Sequence, residues 1–408
     1  MKEVLRVTML TSSFPRWRGD SAGAFLLCLA AELSKREVQV NVIAPHDDRS
    51  SFFEVWDNVR VFRHPYFFPL KYQKLCYSSG ILINIKKKPA LALQLPFLVM
   101  AQALFTLWGI KKAKTDLIHA HWSIPQGFSA LLAQRVGGIP YVLSMHGSDV
   151  FALKRPFFNF LNRAIINHAG KCSANSGATR EMAQLISGRE DIEIIPMGVD
   201  TNVFKPVPGD KSRWDSRADE KIILFVGRLI EVKGLTYLLE ALTKVFRVCP
   251  EARAVIVGSG PQKERLLALS KGLKLEKQVS FIGAIAQNEL PAIYSAADVF
   301  VLPSVVSESG EREGLGVVLL EAMACGSPVI GTNTGGIPDI VKHEETCLIA
   351  LERNPDDLAD KILRILLEDE LRGKLKRSAL CFVRGNFSWS TIAAKFKKVY
   401  EGVLRKGL

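Results

Sequence analysis

Cysteine is scarce in this chain of 408 residues: there are seven, an odd number, scattered and never spaced as C-x-x-C. That pattern fits neither a disulfide framework nor a zinc knuckle, and it points to free thiols in a reducing compartment. Asp-x-Asp occurs nowhere, and no short-period repeat or low-complexity tract interrupts the chain. Acidic residues are missing altogether between Asp57 and Asp116, a stretch that carries ten lysines and arginines. Long hydrophobic runs are equally few. The opening MKEVLRVTML is too short for the core of a signal peptide and reads as a first buried strand. Residues 89–110 have no charge and are long enough to cross a bilayer, but Gln94, Pro96 and Gln102 break the run. They fit a helix on the sheet, or one docked at a membrane interface, better than a span.

What is present is an ordinary globular composition, 48% hydrophobic and 23% charged, in a length that calls for two or three domains. The net charge of +13 is uneven: residues 1–205 carry +10 and residues 206–408 only +3. Such a field favours polyanions, acidic membrane surfaces or phosphorylated ligands.

Short, continuously apolar runs alternate with amphipathic stretches. Strands are expected at 5–10, 38–44, 116–119, 141–144, 192–195, 222–226, 254–257, 279–282, 299–302 and 329–331. Helices are expected between them, for example at 24–35, 235–248, 261–272 and 316–323. Uniformly apolar strands separated by helices imply parallel sheets covered on both faces, a doubly wound α/β architecture. The pattern runs twice, with a polar Pro- and Gly-containing break at 196–220.

The stretch PSVVSESGEREGLGVVLLEAMACGSPVI follows a buried strand and leads into a helix. A Gly-rich strand-to-helix turn offers free N–H groups and a helix dipole to a phosphate. Of the acids Glu308, Glu311 and Glu313, only Glu313 precedes Gly-x-Gly and stands eight residues before Glu321. Upstream, ILFVGRLIEVKG places Arg228 and Lys233 on the loop after a strand, two cations able to neutralise a diphosphate.

The run EGLGVVLLEAMACGSPVI resembles the E-x7-E signature of the GT-B-fold retaining glycosyltransferases of family 4. The resemblance extends over nearly the whole chain and is weakest at 48–115. It implies two Rossmann-like domains facing each other across a cleft: residues 1–195 plus a returning helix at about 386–408 on the acceptor side, and 196–385 for the nucleotide-sugar donor. It assigns Glu313 to the donor sugar, Glu321 to the ribose, and the backbone of Gly314, Leu315, Gly316 and Val317 to sugar and phosphates. Arg228 and Lys233 would hold the pyrophosphate. Gly258, Ser259 and Gly260 would border the nucleotide, with Ala284 and Ile285 beside its base.

In the first half the resemblance implies that a glycine before the first helix, Gly23 or else Gly19, approaches the donor phosphate. His146, in SMHGSD, would stand beside the anomeric carbon, with Asp149 orienting its loop. His119, His121 and Trp122, in IHAHW, are expected to line the acceptor side together with Asp149; His-x-His alone can ligate a metal, but no further ligands complete a site. The implied protein is an enzyme that requires neither cofactor nor metal. Its donor is a UDP- or GDP-sugar, and its acceptor a saccharide or a lipid-linked molecule. The basic 60–114 region, with aromatics at 66, 67, 68, 72, 77, 97, 105 and 108, is expected to face an anionic membrane surface from the cytoplasm. Two other classes share parts of the pattern. A nicotinamide-dependent oxidoreductase lacks a complete G-x-G-x-x-G here, and a nucleic-acid binder lacks any known module or exposed stacking face.

Overall fold

The structure, a computed structural model, describes residues 4–77, 80–151, 156–209, 211–214 and 220–406. Part of the polar break, residues 210 and 215–219, lies outside that range. The chain divides into two compact units. One is built from the residues up to Ile195 together with the stretch from Trp389 onward, the other from Pro196–Ser388.

The first unit holds strands β1 (Leu5–Leu10), β2 (Val38–Pro45), β3 (Phe53–Trp56), β4 (Val59–His64), β5 (Leu117–His121), β6 (Tyr141–Met145), β7 (Lys171–Ala174) and β8 (Ile192–Ile194). They form one sheet in the order β3-β4-β2-β1-β5-β6-β7-β8, parallel throughout except for the antiparallel β3–β4 pair. Every residue of β5 and β6 is buried, as expected of central strands covered on both faces. The helix Trp389–Lys406 closes this unit. It packs along the helix Ala24–Ser34, and Lys397 donates to the Arg36 carbonyl at 2.8 Å.

The second unit holds β9 (Lys221–Val226), β10 (Ala252–Val257), β11 (Val279–Gly283), β12 (Val299–Leu302), β13 (Val329–Thr332) and β14 (Leu348–Ala350). Their order is β11-β10-β9-β12-β13-β14, all parallel. Chain direction across the sheet reverses between β9 and β12, and ligands of such sheets bind beyond the strand C-termini at that switch.

Local sequence explains why the flanking elements are helices. In Leu235–Val248, the residues Leu235, Leu238, Leu239, Leu242, Val245 and Phe246 recur at helical spacing and are all buried against the sheet. Burying side chains of that size contributes about 1.5–3 kcal/mol each. The helix ends at Cys249, ahead of Pro250, which cannot continue it. The helix Pro355–Leu367 starts with proline in its first turn and Asn354 accepting from the Asp357 N–H at 3.0 Å.

Candidate active site

In the first unit, the functional residues gather where β1, β5 and β6 end. Gly23 immediately precedes the helix Ala24–Ser34, and its backbone lies against the Ser13 carbonyl. Phe25, at the start of that helix, meets the His146 ring edge-on at 5.4 Å and the Trp122 ring at 6.1 Å. Trp122 follows β5, His146 follows β6, and their rings are 4.7 Å apart. His121 Nδ1 and His146 Nε2 share a hydrogen bond of 3.2 Å, while His146 Nδ1 is buried without a partner among the described residues. Burial pushes the His146 imidazole down to about 4, so it works as a neutral hydrogen-bonding group at physiological pH.

Three of the four residues expected on the acceptor side, His119, His121 and Asp149, are buried. His119 does not line a surface: it is fully buried, with Nδ1 bonded to the Tyr400 hydroxyl and Nε2 to Ser144 Oγ, each at 2.7 Å. Its strand is covered by the returning helix, whose Phe396 and Tyr400 rings close over it. Asp149 is buried as well and serves to orient its loop. It is 5% exposed and accepts from the backbone N–H of Ser123 at 3.1 Å and of His146 at 3.2 Å. It therefore ties the loop after β5 to the loop after β6 and positions both Trp122 and His146. Burial raises its carboxyl to about 6 against those N–H donors. His121, buried between His119 and His146, supports His146 from below.

In the second unit, the loop after β9 carries Arg228 and Lys233, and the loop after β12 carries Glu313. The resemblance treats Lys233 and Glu313 as separate contacts, but the structure joins them: Lys233 Nζ lies 2.5 Å from Glu313 Oε2, and Ser304 Oγ donates to the same oxygen at 3.1 Å. Both side chains are largely buried, at 16% and 11% exposure. Arg228 is exposed; its carbonyl accepts from the Ile230 N–H at 3.0 Å, and its guanidinium makes no hydrogen bond or ion pair among the described residues. The loop after β9 thus carries an exposed guanidinium, Arg228, and an ammonium, Lys233, held in an ion pair.

Backbone contacts fix these loops. A Cβ on Gly258, whose φ is 140°, would sit 1.8 Å from the Gly227 carbonyl oxygen. Gly258 and Gly260 are therefore glycine because the β10 loop is clamped onto the β9 loop, with Leu229 N–H donating to Ser259 O at 3.0 Å. Gly335, at φ 58°, is pressed in the same way onto the Glu313 carbonyl, which also accepts from Gly336 N–H at 3.0 Å. Gly314 opens onto free space, and Gly316 begins the helix Val317–Ala324, with Leu315 buried and Val317 half-buried. Ser259 and Ala284 are exposed, and Ile285 packs partly against the core.

Glu321 lies on that helix and accepts from the buried Tyr294 hydroxyl at 2.8 Å. Burial raises its carboxyl from 4.5 to about 7, opposed by the Tyr294 bond. The folded chain binds this proton more tightly than the unfolded one. The contribution to stability is therefore full below pH 4.5 and is lost as pH rises to about 7. Glu321→Gln should stabilise the second unit by about 1–3 kcal/mol above pH 7 and leave it unchanged near pH 4.5, read as melting temperature against pH.

No motif announces Phe25, Ser304, Tyr294 or Tyr400. The first three lie near the motifs but outside their spacing, and Tyr400 belongs to an element 281 residues away from its partner. Among the described residues no group of three or more His, Cys, Asp or Glu side chains could hold a metal ion.

Comparison with known proteins agrees with this geometry. Residues 208–380 match the model of glycosyl transferases group 1, and residues 22–203 that of glycosyltransferase family 4. The chain belongs to the group 1/family 4 glycosyltransferases and is an enzyme of that type. It is 33% identical over 281 residues to the GDP-mannose-dependent α-(1-6)-phosphatidylinositol monomannoside mannosyltransferase of Mycobacterium tuberculosis, covering 67% of this chain and 73% of that one. N-acetyl-α-D-glucosaminyl L-malate synthase of Bacillus anthracis is 29% identical, with 72% and 77% covered. Sucrose-phosphate synthase of Thermosynechococcus elongatus superposes with a TM-score of 0.77 at 25% identity, covering 98% of this chain and 100% of that one. The fold is GT-B, with two Rossmann-like units.

Proposed function

We propose that this chain is a retaining, metal-independent glycosyltransferase. It moves a sugar from a UDP- or GDP-sugar to a saccharide carried on a lipid, in cell-surface polysaccharide or glycolipid synthesis. The observation that carries this reading is the Lys233–Glu313 pair, which joins the loop after β9, where Arg228 also stands, to the loop after β12. Arg228 and Lys233 take the charge of the departing diphosphate, a task that a divalent ion performs in other transferases. Glu313 Oε1, not used by Lys233 or Ser304, faces the sugar hydroxyls, Glu321 takes the ribose, and the Gly314–Val317 backbone lines the sugar and phosphates. The turns at Gly23, at Gly258 to Gly260 and at Ala284 and Ile285 border the nucleotide. His146 supports positive charge developing at the anomeric carbon. Asp149, the acid nearest His146 in sequence, is committed to backbone N–H groups, which favours attack from the leaving-group face over a carboxylate nucleophile.

The mycobacterial relative, which uses GDP-mannose and a mannosylated phosphatidylinositol, supports a lipid-linked acceptor. The acid-free basic stretch supports an enzyme working on the cytoplasmic face of an anionic membrane and gives no support to a nucleic-acid partner. The test is mass-spectrometric transfer across UDP-, GDP- and ADP-sugars, with lipid extracts or water-soluble saccharides as acceptor, with and without EDTA. Turnover to a lipid product that survives EDTA and keeps the donor's anomeric configuration is expected. An inverted product, or activity abolished by chelation, would overturn the corresponding part.

A further inference from the structure

The helix Leu95–Lys112 of the first unit is apolar on both sides. Inward, Leu98, Ala103 and Ile110 are buried beside Gln102, which bonds His64 at 3.1 Å, and Thr106, which donates to the Gln102 carbonyl at 2.7 Å. On the turn just before it, Gln94 donates to the Tyr72 carbonyl at 2.8 Å. Its outward face is apolar. Leu93 is 74% exposed, and Phe97, Met100, Leu104 and Trp108 follow at helical spacing with 46%, 56%, 59% and 45%. A helix facing water shows the opposite arrangement. The apolar face also continues sideways: Trp108 meets Phe62 at 5.8 Å, and Phe62 meets Phe53, half of which is exposed. A contiguous apolar surface of this extent marks an interaction site.

The rim selects the partner. Lys86, Lys87 and Lys88 are exposed before the helix, and Lys111 and Lys112 at its end, with the Lys112 ammonium 4.6 Å from the Trp108 ring centre. No acidic residue lies between Asp57 and Asp116 to offset them. A second copy of the chain would bring like charge against like charge across a two-fold interface. A bilayer with anionic headgroups supplies both the apolar depth and the opposite charge. A membrane span would strip Gln94 and Gln102 from their partners on other elements and leave bare polar groups in lipid.

We propose that this helix lies flat in the interface of an anionic membrane, Phe97, Leu104 and Trp108 inserted and the lysines at headgroup level. The inference rests on the membrane reading above and assigns it a surface. Other parts of the basic stretch drop out: Arg63 is fully buried, bonded to Glu54, and Tyr66 and Tyr77 belong to the core.

The test is co-sedimentation of the whole chain with phosphatidylcholine vesicles, with and without phosphatidylglycerol. Binding to the anionic vesicles is expected. Phe97→Ser/Leu104→Ser should weaken it by about tenfold or more, and Lys111→Glu/Lys112→Glu should remove most of its salt dependence. These side chains are exposed, so the melting temperature should not move. Undiminished binding by the serine variant would overturn the assigned surface and leave the membrane reading standing; no binding by the parent chain would end both. Protein that stays with membranes through an alkaline carbonate wash would make the helix a span. Self-association abolished by the serine variant, without vesicle binding, would make the face a contact between copies.

Discussion

Glu313→Gln slows glycosyl transfer by about 10²–10³-fold, the loss typical of removing one group that acts on the transition state, yet nucleoside diphosphate binding holds or tightens. The separation follows from the ion pair. In the parent chain Lys233 is held by a carboxylate 2.5 Å away, so half of the site's cationic charge is compensated. The glutamine keeps the shape and releases that charge to an incoming diphosphate. Lys233→Ala should do the reverse, weakening UDP or GDP binding and leaving Glu313 buried beside Ser304 without its counter-ion. Because each change breaks the same pair, the double variant should be little worse than the poorer single one. Initial rates with whichever nucleotide-sugar supports transfer, set beside calorimetric titration with the matching diphosphate, check both halves. Glu313→Gln losing affinity and rate equally would show that the pair is not the organising element.

Acidification below about pH 6 should unfold the first unit before the second. Burial holds His64 and His146 at about 4, His119 at about 3, and His121 well below its ordinary value. His46 is also lowered, chiefly by burial. Each takes up its proton more readily in the unfolded chain. Their contribution is therefore complete above pH 6.5 and is lost as pH falls toward the folded values. Asp149 works the other way, since its raised carboxyl favours the folded state as the pH drops toward 3.8. With four strongly lowered histidines against one raised acid, the slope is on the order of 3–4 kcal/mol per pH unit between about pH 6 and 4. Two such units remove about 6–8 kcal/mol, enough to unfold a domain in the lower half of the usual range of about 5–15 kcal/mol. Over the same range Glu321 stabilises the second unit. Thermal melts from neutral to mildly acid pH should therefore split into two transitions moving in opposite directions. A single transition that does not shift would refute the assignment.

Central strands and the donor motif were legible because each is encoded locally. Runs such as IILFV and VFVL admit few alternatives to buried parallel strands, and the EGLGVVLLEAMA stretch fixes Glu313 by spacing alone. What escaped was encoded elsewhere in the chain. The pair β3–β4 carries Arg60 and Arg63 within its apolar alternation, and Lys171–Ala174 offers only small and polar residues in a short strand. His119 shares its spacing with His121, and no local pattern announces that Tyr400 will cover one and leave the other beside His146. Gly258 and Gly260 look like ligand-contacting glycines, and only the approach of a second loop shows what their missing side chains make room for.

The returning helix has a consequence for synthesis. The second unit is one contiguous stretch, complete once residue 388 has emerged, and it can fold while the ribosome is still at work. The first unit begins earlier but finishes later: until Tyr400 arrives, His119 has neither its hydroxyl partner nor its aromatic cover. A premature stop after residue 388 would therefore spare the half being translated and damage the half made first.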